Sequence, residues 1–360
     1  MPQVKQMLDA TKVGWQARTL EGSLRKCIIG QDEAIQQIAN AYQMFLTGLR
    51  APGRPIGNFL FLGPTGSGKT RIVEATAESL VGTPAAVVKI DCAEFQHSHE
   101  IAKLIGSPPG YLGHRETHPA LSQEALNQFH TDKIKLSFVL FDEIEKASDA
   151  LWNLLLGILD KATLTLGDNR KVDFSSAMIF LTSNLGAAEM SAILQPKLGF
   201  AAATKPAGDL VEKRASNSAL EAARRKFSPE FVNRLDKIVV FKRLGEPELQ
   251  RILELELQFV RERILRAVGT NSFLFTVTDN AKSLLLREGF DDQYGARHLK
   301  RAVEHLLVQP MANLLASGQL QNGDWVVVDS AHDLDHLVFF KESRIVTGAS
   351  AAQAGSSAAA

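Results

Sequence analysis

The chain has 360 residues, of which 40 are Lys or Arg and 40 are Asp or Glu, so its formal net charge is zero. A protein whose main function is to coat nucleic acid or an anionic membrane needs a basic surplus, and this balance argues against both functions. Apolar residues make up 45% of the chain and charged residues 22%, which are ordinary globular values and exclude bulk disorder. The length predicts two domains.

The cysteines and the hydropathy bear on the cellular compartment. Cys27 and Cys92 lack any close spacing, so neither a zinc motif nor a disulfide framework is predicted. The first twenty residues lack the apolar core of a signal peptide, and no apolar run is long enough to cross a bilayer. We therefore expect a cytoplasmic protein that does not act at a membrane.

The hydrophobic pattern predicts a short helical lead-in over residues 1–20, followed by a first domain that ends at residue 243. Short apolar runs indicate parallel strands covered on both faces, and helical patterns lie between them. This alternation predicts an α/β domain over 21–243, with a five-stranded parallel sheet and helices on both faces. The predicted strands are Asn58–Leu62, Ala86–Ile90, Leu136–Phe141, Ala177–Leu181 and Lys237–Phe241, and the predicted helices include Thr70–Val81 and Ala150–Leu159.

The pattern changes after Phe241 and predicts a smaller, mainly helical domain over 244–343. Its first element is a long amphipathic helix, Glu246–Val268, whose apolar residues recur at helical spacing. Because Pro310 lacks the N–H group that a helix interior requires, a kink is expected in the helix predicted over Ala296–Ser317. Residues 344–360 are low in complexity and are predicted to form a disordered tail. The other predicted elements are a strand at Ser272–Thr278, a helix at Asp279–Glu288 and strands at Trp325–Val328 and Leu337–Phe340.

The segment after the first predicted strand carries the strongest functional signal. It fits the pattern G-x-x-x-x-G-K-[ST] between a strand and a helix, a context in which glycines let backbone N–H groups surround phosphates. The lysine would reach the β- and γ-phosphates of a nucleotide, and the final hydroxyl would complete a Mg²⁺ shell. A chance glycine-rich turn is the alternative, and both flanks argue against it. The residues of this phosphate loop are Gly63, Pro64, Thr65, Gly66, Ser67, Gly68, Lys69 and Thr70.

Polar residues follow two further predicted strands, at the edge where an open α/β sheet binds its ligands. Asp142 is expected to hold Mg²⁺, and Glu143 is expected to act as the general base that activates the attacking water. The alternative is that both acids favour the N-terminus of a following helix. Asn184 is expected to hydrogen-bond the γ-phosphate or the water, and an Asx turn leading to Gly186 is its alternative.

These three strand ends resemble those of the AAA+ ATPases of the Clp family, and most closely those of the second, C-terminal ATPase module of ClpB-type disaggregases. The resemblance runs from about Leu20 to Phe340 and keeps the motif order of the family. It implies the AAA+ P-loop fold and an enzyme that hydrolyses ATP with Mg²⁺. Beside the phosphate loop and Thr182–Asn184, the matching segments are Ile28–Ala34, Arg54–Gly57, Asp142–Ala147, Phe231–Asp236 and Tyr294–Arg297.

The resemblance also implies roles for residues whose chemistry alone leaves them open. Ile28 and Ile29 would line the adenine pocket, and Asn184 would be the sensor 1 residue. Arg297 would be the sensor 2 arginine, and Arg234 would be the arginine finger supplied to a neighbouring subunit. A guanidinium group suits this role because it is a fixed, charged fork that matches a transferring phosphoryl group. The alternatives are a surface ion pair of Arg234 with Glu230 or Asp236, and a solvated helix face for Arg297 beside Lys300 and Arg301.

Two loops resemble the substrate-contacting pore loops of the family. The first comprises Gly110, Tyr111, Leu112 and Gly113, at the end of the stretch Gly106–Gly113, which is rich in helix breakers. Its tyrosine would grip a translocating polypeptide through sequence-tolerant packing. The alternative is a tyrosine that folds back onto the core. The second, Leu166–Lys171, lies where the lower pore loop of the family falls. The resemblance implies a homohexamer that threads unfolded or aggregated protein through an axial pore.

A third segment bears on partners. Leu198-Gly199-Phe200 resembles the tripeptide with which protease-coupled relatives dock on a ClpP-like peptidase, and the alternative is an ordinary loop with two anchoring apolar residues. The family's N-terminal domain, first ATPase module and coiled coil do not fit before Leu20, so we expect a free-standing single-ring version or an excised fragment. Three functions follow: a protein unfoldase or disaggregase, the regulatory unfoldase ring of a ClpP-like protease, and a nucleic-acid remodelling ATPase or nucleotide-gated scaffold. The neutral charge disfavours the third.

Overall fold

A computed structural model describes residues 7–107, 119–194, 208–268, 273–291, 295–321, 323–330 and 336–342. The chain divides into two compact units. The first contains residues 1–251 and 291–297, and the second contains residues 252–290 and 298–360. The composition change predicts a division at 244, whereas the compact units divide a few residues later, inside a long helix.

The elements of the first unit alternate between helices and strands. Its helices are α1 (Trp15–Cys27), α2 (Asp32–Thr47), α3 (Lys69–Val81), α4 (Ala102–Ile105), α5 (Gln123–Asn127), α6 (Asp149–Lys161), α7 (Ala187–Leu194), α8 (Gly208–Lys226) and α9 (Pro229–Val232). Its strands are β1 (Gly57–Leu62), β2 (Val87–Asp91), β3 (Ser137–Asp142), β4 (Thr163–Thr165), β5 (Lys171–Asp173), β6 (Ala177–Ser183) and β7 (Lys237–Val240). Each predicted sheet strand forms within two residues of its expected bounds.

Five of these strands form one parallel sheet in the order β2-β3-β6-β1-β7. All residues of β1 and β6 are buried, whereas in β2, at an edge of the sheet, only Val87 and Ile90 are buried. The continuous burial of central strands is expected when helices cover both faces of a parallel sheet. The predicted fold class, an α/β domain with a five-stranded parallel sheet, is confirmed.

The hydrophobic core lies on both faces of this sheet. Because successive side chains of a strand point to opposite faces, each strand contributes alternate residues to two separate clusters. One cluster contains Leu60, Leu62, Val139, Phe141, Ile179 and Leu181, and the other contains Phe59, Phe61, Phe138, Leu140, Met178 and Phe180. Central strands of this kind fix the positions of the polar residues at their carboxyl ends.

Helix α1 joins the core of the first unit rather than forming a separate lead-in. Its buried residues, Ala17, Leu20 and Leu24, lie on one helical face and pack into the same cluster as Phe59 and Phe61. The helix therefore continues through the lead-in boundary predicted after residue 20.

The second unit holds the remaining elements, and one of them differs from its prediction. The predicted helix Ala296–Ser317 forms as three pieces: α12, a π-helical segment at Val303–Val308, and α13, in which Pro310 is the second residue. Because Pro310 cannot donate to the carbonyl four residues earlier, the turns before it can widen instead of continuing as regular α-helix.

The strands of the second unit form a separate sheet in the order β10-β9-β8. Strands β8 and β9 are parallel, and β9 and β10 are antiparallel. None of the helices in the described part of the chain has the length and hydropathy to cross a bilayer. The element bounds are α10 (Glu246–Val268, which spans the division), α11 (Asp279–Gly289), α12 (Ala296–Ala302, whose first two residues belong to the first unit), α13 (Gln309–Ala316), β8 (Leu274–Val277), β9 (Trp325–Ser330) and β10 (Leu337–Glu342).

Candidate active site

The phosphate loop joins the carboxyl end of β1 to the first turn of α3. Gly63, Gly66 and Gly68 all have positive φ angles, of 141°, 76° and 99°, which favour glycine over other residues. A Cβ atom on Gly63 would lie 2.6 Å from the carbonyl oxygen of Phe241, so a side chain at this position requires the backbone to move. The loop thus places its backbone amides beside a helix N-terminus, which is a favourable site for an anion.

Lys69, the first residue of α3, is buried within a group of oxygen atoms. Its Nζ lies 2.6 Å from the carbonyl oxygen of Gly63, 2.9 Å from that of Pro64 and 2.9 Å from Oδ1 of Asn184. Burial lowers the pKa of Lys69 to about 8, although the nearby carboxylates, Asp142 first among them, oppose the decrease. The ammonium group therefore remains mostly charged at neutral pH, where phosphate oxygens could replace its protein partners.

Asp142 ends β3 and faces two hydroxyl groups. Its Oδ2 lies 3.5 Å from Oγ1 of Thr70, and its Oδ1 accepts a hydrogen bond from Oγ1 of Thr182 on the neighbouring strand β6. Adjacent hydroxyl and carboxylate oxygens are the hard ligands that Mg²⁺ prefers. The donor set of Thr70 and Asp142 thus fits the predicted metal.

Glu143 has a left-handed backbone conformation, with φ 56° and ψ 48°, which is rare for a residue with a side chain. Its backbone N–H donates to Thr182 Oγ1 at 3.1 Å, and its Oε2 lies 2.5 Å from Nζ of Lys146. Glu143 precedes the 3₁₀ turn Ile144–Lys146, but within the described part of the chain its side chain makes no capping hydrogen bond to that turn. Residues held in such conformations cluster at functional sites. This geometry favours the catalytic role over the capping alternative.

Asn184, directly after β6, connects the phosphate loop to Glu143. Its Oδ1 accepts hydrogen bonds from Lys69 Nζ at 2.9 Å and from Thr65 Oγ1 at 3.4 Å. Its Nδ2 donates to Oε1 of Glu143 at 3.4 Å. The side chain thus points towards the phosphate loop and not into an Asx turn towards Gly186. The structure brings Lys69, Thr70, Asp142, Glu143 and Asn184 together at one edge of the sheet.

Three residues of this region were not assigned a role from the sequence. Thr182 is 1% exposed and bonds both Asp142 and the Glu143 amide, and Glu145 Oε1 accepts from the Asn184 amide at 3.0 Å. Gln31 donates from Nε2 to the carbonyl oxygens of Ser67 at 3.1 Å and Lys242 at 3.0 Å. Thr182 could have been noticed as a polar residue inside the apolar strand β6, although this signal is weak. The partners of Gln31 are not indicated by any sequence pattern.

Ile28 and Ile29 lie at the end of α1 and are both buried. Ile28 packs into the cluster that contains Phe59 and Tyr42. Gly30 follows with a φ of 77°, and a Cβ there would lie 3.2 Å from the side chain of Glu248. The adenine-pocket role of the two isoleucines stays a prediction.

Arg234 lies between α9 and β7, and its side chain is 23% exposed. Its Nη1 lies 2.9 Å from Glu230 Oε1, and its Nη2 lies 3.7 Å from Asp160 Oδ2. Of the two ion-pair partners that the alternative interpretation offers for Arg234, Glu230 forms the pair, whereas Oδ1 of Asp236 lies 3.8 Å from Nη1 of Arg54. Within the single chain the guanidinium group is therefore paired, and its role towards a second chain stays a prediction.

Arg297 is exposed in the first turn of α12, and its segment belongs to the first compact unit. The N–H of Ala296 donates to the carbonyl oxygen of Gly66 at 3.3 Å, and Gly295 has a φ of 51°. The segment thus contacts the phosphate loop. The positive charge of Arg297 also contributes to the low pKa of Lys69.

The predicted pore-loop residues Gly110, Tyr111, Leu112 and Gly113 lie outside the described residues, as does Leu198–Phe200. The second predicted loop, Leu166–Lys171, joins the antiparallel strands β4 and β5. The N–H of Gly167 donates to the carbonyl oxygen of Ile105 at 2.8 Å, and a Cβ on Gly167 would lie 2.5 Å from the carbonyl oxygen of Gly106. The second loop therefore packs against the segment that leads into the first.

Two family models match this chain. Residues 54–238, just over half of the chain, match the AAA domain (Cdc48 subfamily), and they include the phosphate loop, Glu143 and Asn184. Residues 244–328 match the C-terminal, D2-small domain of ClpB protein. The two matches meet near the position at which the sequence predicts a domain boundary.

Individual relatives agree with these matches. Chaperone protein ClpC3, chloroplastic, of Oryza sativa subsp. japonica is 38% identical over 327 residues, which cover 90% of this chain and 33% of ClpC3. Chaperone protein ClpB of Rhizobium meliloti (strain 1021) is 36% identical over 314 residues, which cover 87% of this chain and 33% of ClpB. The chain thus spans about a third of the length of these curated relatives.

The fold also matches a solved relative. A closed-state cryo-EM reconstruction of Hsp104 with ATPγS and FITC casein superposes with a TM-score of 0.74 at 28% identity, over 91% of this chain and 52% of the Hsp104 chain. Together with the family models and the connected polar site, this likeness shows that the chain belongs to the AAA+ ATPases of the Clp family, with a nucleotide-binding domain and a small domain of the D2 type.

Proposed function

We propose that this chain is an ATP-driven protein unfoldase or disaggregase that acts as a homohexamer and threads polypeptide through an axial pore. The observation that carries the proposal is the hydrogen-bonded connection from Lys69 through Asn184 to Glu143. It joins the group suited to bind a triphosphate to the group suited to activate water. The casein in the Hsp104 complex supports an unfolded protein as the substrate.

The residues of the chain divide the work of ATP hydrolysis between them. The glycine-rich loop and the N-terminus of α3 bind the phosphates, and Lys69 neutralises their charge. Glu143 accepts a proton from the attacking water, and Asn184 orients that water relative to the phosphates. Thr70 and Asp142 would hold Mg²⁺, which neutralises phosphate charge when it is bound.

Two arginines are proposed to act on the same triphosphate from different places. Arg297, whose segment contacts Gly66, would sense the γ-phosphate within the chain. Arg234 would reach the site of a neighbouring subunit and stabilise charge on the transferring phosphoryl group. A site completed in this way makes hydrolysis depend on ring assembly, which is the basis for proposing a homohexamer.

Mechanical work on the substrate is assigned to the loop that contains Tyr111. The aromatic side chain of Tyr111 is flat and amphipathic. It can therefore pack against polypeptides of many sequences, because such a contact needs no shaped pocket. The contact of Gly167 with Ile105 and Gly106, which precede Tyr111 in the chain, supports a shared role for the two loops. Rearrangement of the nucleotide site would move both loops together.

The test is ATP-dependent unfolding of a fluorescent protein that carries an unstructured tag. We expect the wild-type chain with ATP to abolish the fluorescence of this substrate. The Glu143→Gln variant should bind ATP but should not unfold the substrate. Tyr111→Ala should retain ATP hydrolysis but lose unfolding, whereas Tyr111→Phe, which keeps the ring, should retain both. Unfolding by Tyr111→Ala at the wild-type rate, or salt-sensitive DNA binding that stimulates hydrolysis, would contradict the proposal.

A peptidase ring is proposed as a second partner, on the strength of Leu198-Gly199-Phe200. This chain would then unfold substrates for degradation, and the tripeptide would contact the peptidase. Deletion of residues 198–200 should abolish stimulated proteolysis by an added ClpP-like peptidase while ATP hydrolysis persists. Unchanged degradation by the deletion variant removes this partner and leaves the unfoldase proposal intact.

A further inference from the structure

Asn58 is a polar residue in the middle of the apolar core. It is the second residue of β1, the strand that lies between β6 and β7, and it is 0% exposed. An amide group without hydrogen bonds is unfavourable in such an environment, so its partners indicate why an amide is present. Its neighbours in the strand, Phe59 and Leu60, are ordinary core residues.

Both donors of the Asn58 amide are used, and both bond to main-chain carbonyl oxygens. Nδ2 donates to the carbonyl oxygen of Leu159 at 3.0 Å and to that of Arg234 at 3.1 Å. Its Oδ1 is buried and has no hydrogen-bond partner among the described residues. A buried amide with an unsatisfied acceptor stabilises the core less than an apolar side chain of similar shape would. The two donated hydrogen bonds therefore explain why an asparagine is present at this position.

The two carbonyl groups belong to the segments that hold the Arg234 side chain. Leu159 is followed by Asp160, whose Oδ2 lies 3.7 Å from Nη2 of Arg234. The same Arg234 carbonyl oxygen also accepts from Nη2 of Arg54 at 3.2 Å. One buried amide thus fixes the main chain of Arg234 together with the end of α6, which supplies a counterion for its guanidinium group.

The segment after Arg234 is also fixed to the same position of β1. The backbone N–H of Asn58 donates to Oδ2 of Asp236 at 2.8 Å, and the N–H of Asp236 donates to the carbonyl oxygen of Asn58 at 2.9 Å. Asn58 therefore holds both ends of the short segment Arg234–Asp236. Leu62, at the other end of β1, is followed directly by the phosphate loop.

We propose that Asn58 is a positioning residue for Arg234 and that its effect on hydrolysis is exerted on the neighbouring subunit. The proposal rests on the proposed function, because it requires that Arg234 acts on the triphosphate of another chain. A guanidinium group on a long side chain can reach a neighbour reproducibly only if its main chain is fixed. Displacement of a catalytic group by about 1 Å can reduce a rate by roughly 100-fold.

Two substitutions of Asn58 test this role at different strengths. Asn58→Leu keeps the branched shape, in a somewhat larger side chain, but removes both donors, and Asn58→Ser keeps one shorter donor. We expect kcat for ATP to fall about tenfold or more in Asn58→Leu and less in Asn58→Ser, with KM within about twofold of wild type. If Asn58→Leu melts below the assay temperature, Asn58→Ser is used for the comparison.

Mixed rings separate an effect on the neighbour from an effect on the chain's own site. Glu143→Gln chains cannot hydrolyse ATP, but they carry an intact Asn58 and Arg234. When either Asn58 variant is mixed with an excess of Glu143→Gln chains, its sites receive their arginine from intact neighbours. Its rate per active chain, divided by that of wild type at the same mixing ratio, should then rise towards one, from about one tenth or less for Asn58→Leu and from a higher value for Asn58→Ser.

Two control variants mixed in the same way make each outcome decisive. Arg234→Ala should recover with Glu143→Gln chains, and Asn184→Ala, which is defective in its own site, should not. Recovery of Arg234→Ala without recovery of the Asn58 variants would overturn the role of Asn58 alone. Failure of Arg234→Ala itself to recover would overturn the shared site, and the proposal for Asn58 with it.

Discussion

Asn184 and Lys69 lie 115 positions apart in the sequence, yet Nζ of the lysine donates to Oδ1 of the asparagine at 2.9 Å. The same asparagine donates from Nδ2 to Glu143. Strand β6 lies between β1 and β3 in the sheet, so the residue after it lies between the phosphate loop and the acidic strand end. The strand order thus places Asn184 between Lys69 and Glu143, where its side chain hydrogen-bonds both residues.

Substitution of Asn184 by Ala should separate these two steps. Loss of the amide leaves Lys69 two carbonyl partners but removes the donor to Glu143. We expect hydrolysis to fall by about 100-fold, as for the loss of one preorganised polar group, while nucleotide affinity changes little. Steady-state hydrolysis and the binding of a fluorescent nucleotide measure the two quantities, with the exposed Asn127→Ala as the control. A parallel loss of affinity would contradict this assignment.

The low pKa of Lys69 predicts a pH dependence of stability. The folded chain holds this group at about 8 because of burial, and the unfolded chain returns it to 10.5. Between these values the unfolded state binds more protons, so the contribution of Lys69 to the free energy of unfolding rises with pH, by about 3 kcal/mol in total. Below pH 8 the folded chain carries the full cost of a buried charge.

Urea unfolding between pH 7.5 and pH 10.5, at roughly half-unit steps across the two pKa values, measures this effect. Wild type should gain stability over this window relative to Lys69→Met, which has no titrating group at the position. Nucleotide affinity should move the other way and weaken as pH rises above about 8, because the ammonium group loses its charge. Identical pH profiles for the two chains would mean that Lys69 is not buried as a charged group.

The two hydrogen bonds of Thr182 predict that the Mg²⁺ dependence of hydrolysis and the position of Glu143 are linked. Its hydroxyl donates to Asp142 and accepts from the Glu143 amide, and Thr182→Val removes both bonds without changing the shape. An unsatisfied buried N–H group costs about 1–3 kcal/mol, so the Glu143 backbone should shift. We expect a lower kcat and a higher Mg²⁺ concentration at half-maximal rate.

Thr76→Val is the matched control for Thr182→Val. Thr76 is equally buried, but its hydroxyl bonds the carbonyl oxygen of Ile72 within α3. A Mg²⁺ titration of hydrolysis should therefore separate the two variants. If both variants show the same Mg²⁺ dependence, Thr182 does not position Asp142.

The left-handed conformation of Glu143 predicts an unusual order of stabilities. Glycine adopts φ 56° without strain, whereas alanine retains the strain of the wild-type residue. Glu143→Gly should therefore be more stable than Glu143→Ala by about 1 kcal/mol, although both lose hydrolysis. Thermal or urea unfolding of the two variants measures the difference, and an equal or reversed order would show that this backbone conformation is not retained in solution.

The parts of the site that could be predicted from the sequence are those encoded in continuous segments. The phosphate loop needs three glycines and a lysine within eight positions, and Asp142 with Glu143 ends an apolar run. The sheet could be predicted for the same reason, because strands buried on both faces read as continuous apolar segments.

The remaining features depend on contacts between distant segments. Gln31 bonds Lys242 across 211 positions, and Asn58 bonds Arg234 across 176, so neither partner can be read from local spacing. The π-helical segment before Pro310 also differs from a simple kink, because proline constrains the preceding turn without specifying how that turn rearranges.

The central claim, that hydrolysis requires Arg234 from a second chain, is tested most directly by ATP turnover per chain as the protein is diluted. The account predicts that wild-type turnover falls as rings dissociate. Assembled rings of Arg234→Ala should turn over about 10³–10⁵-fold more slowly than wild-type rings, as expected for loss of an arginine finger, and should lose little further activity on dilution. Light scattering on the same samples reports the assembly state. Full turnover by isolated wild-type chains would contradict the account.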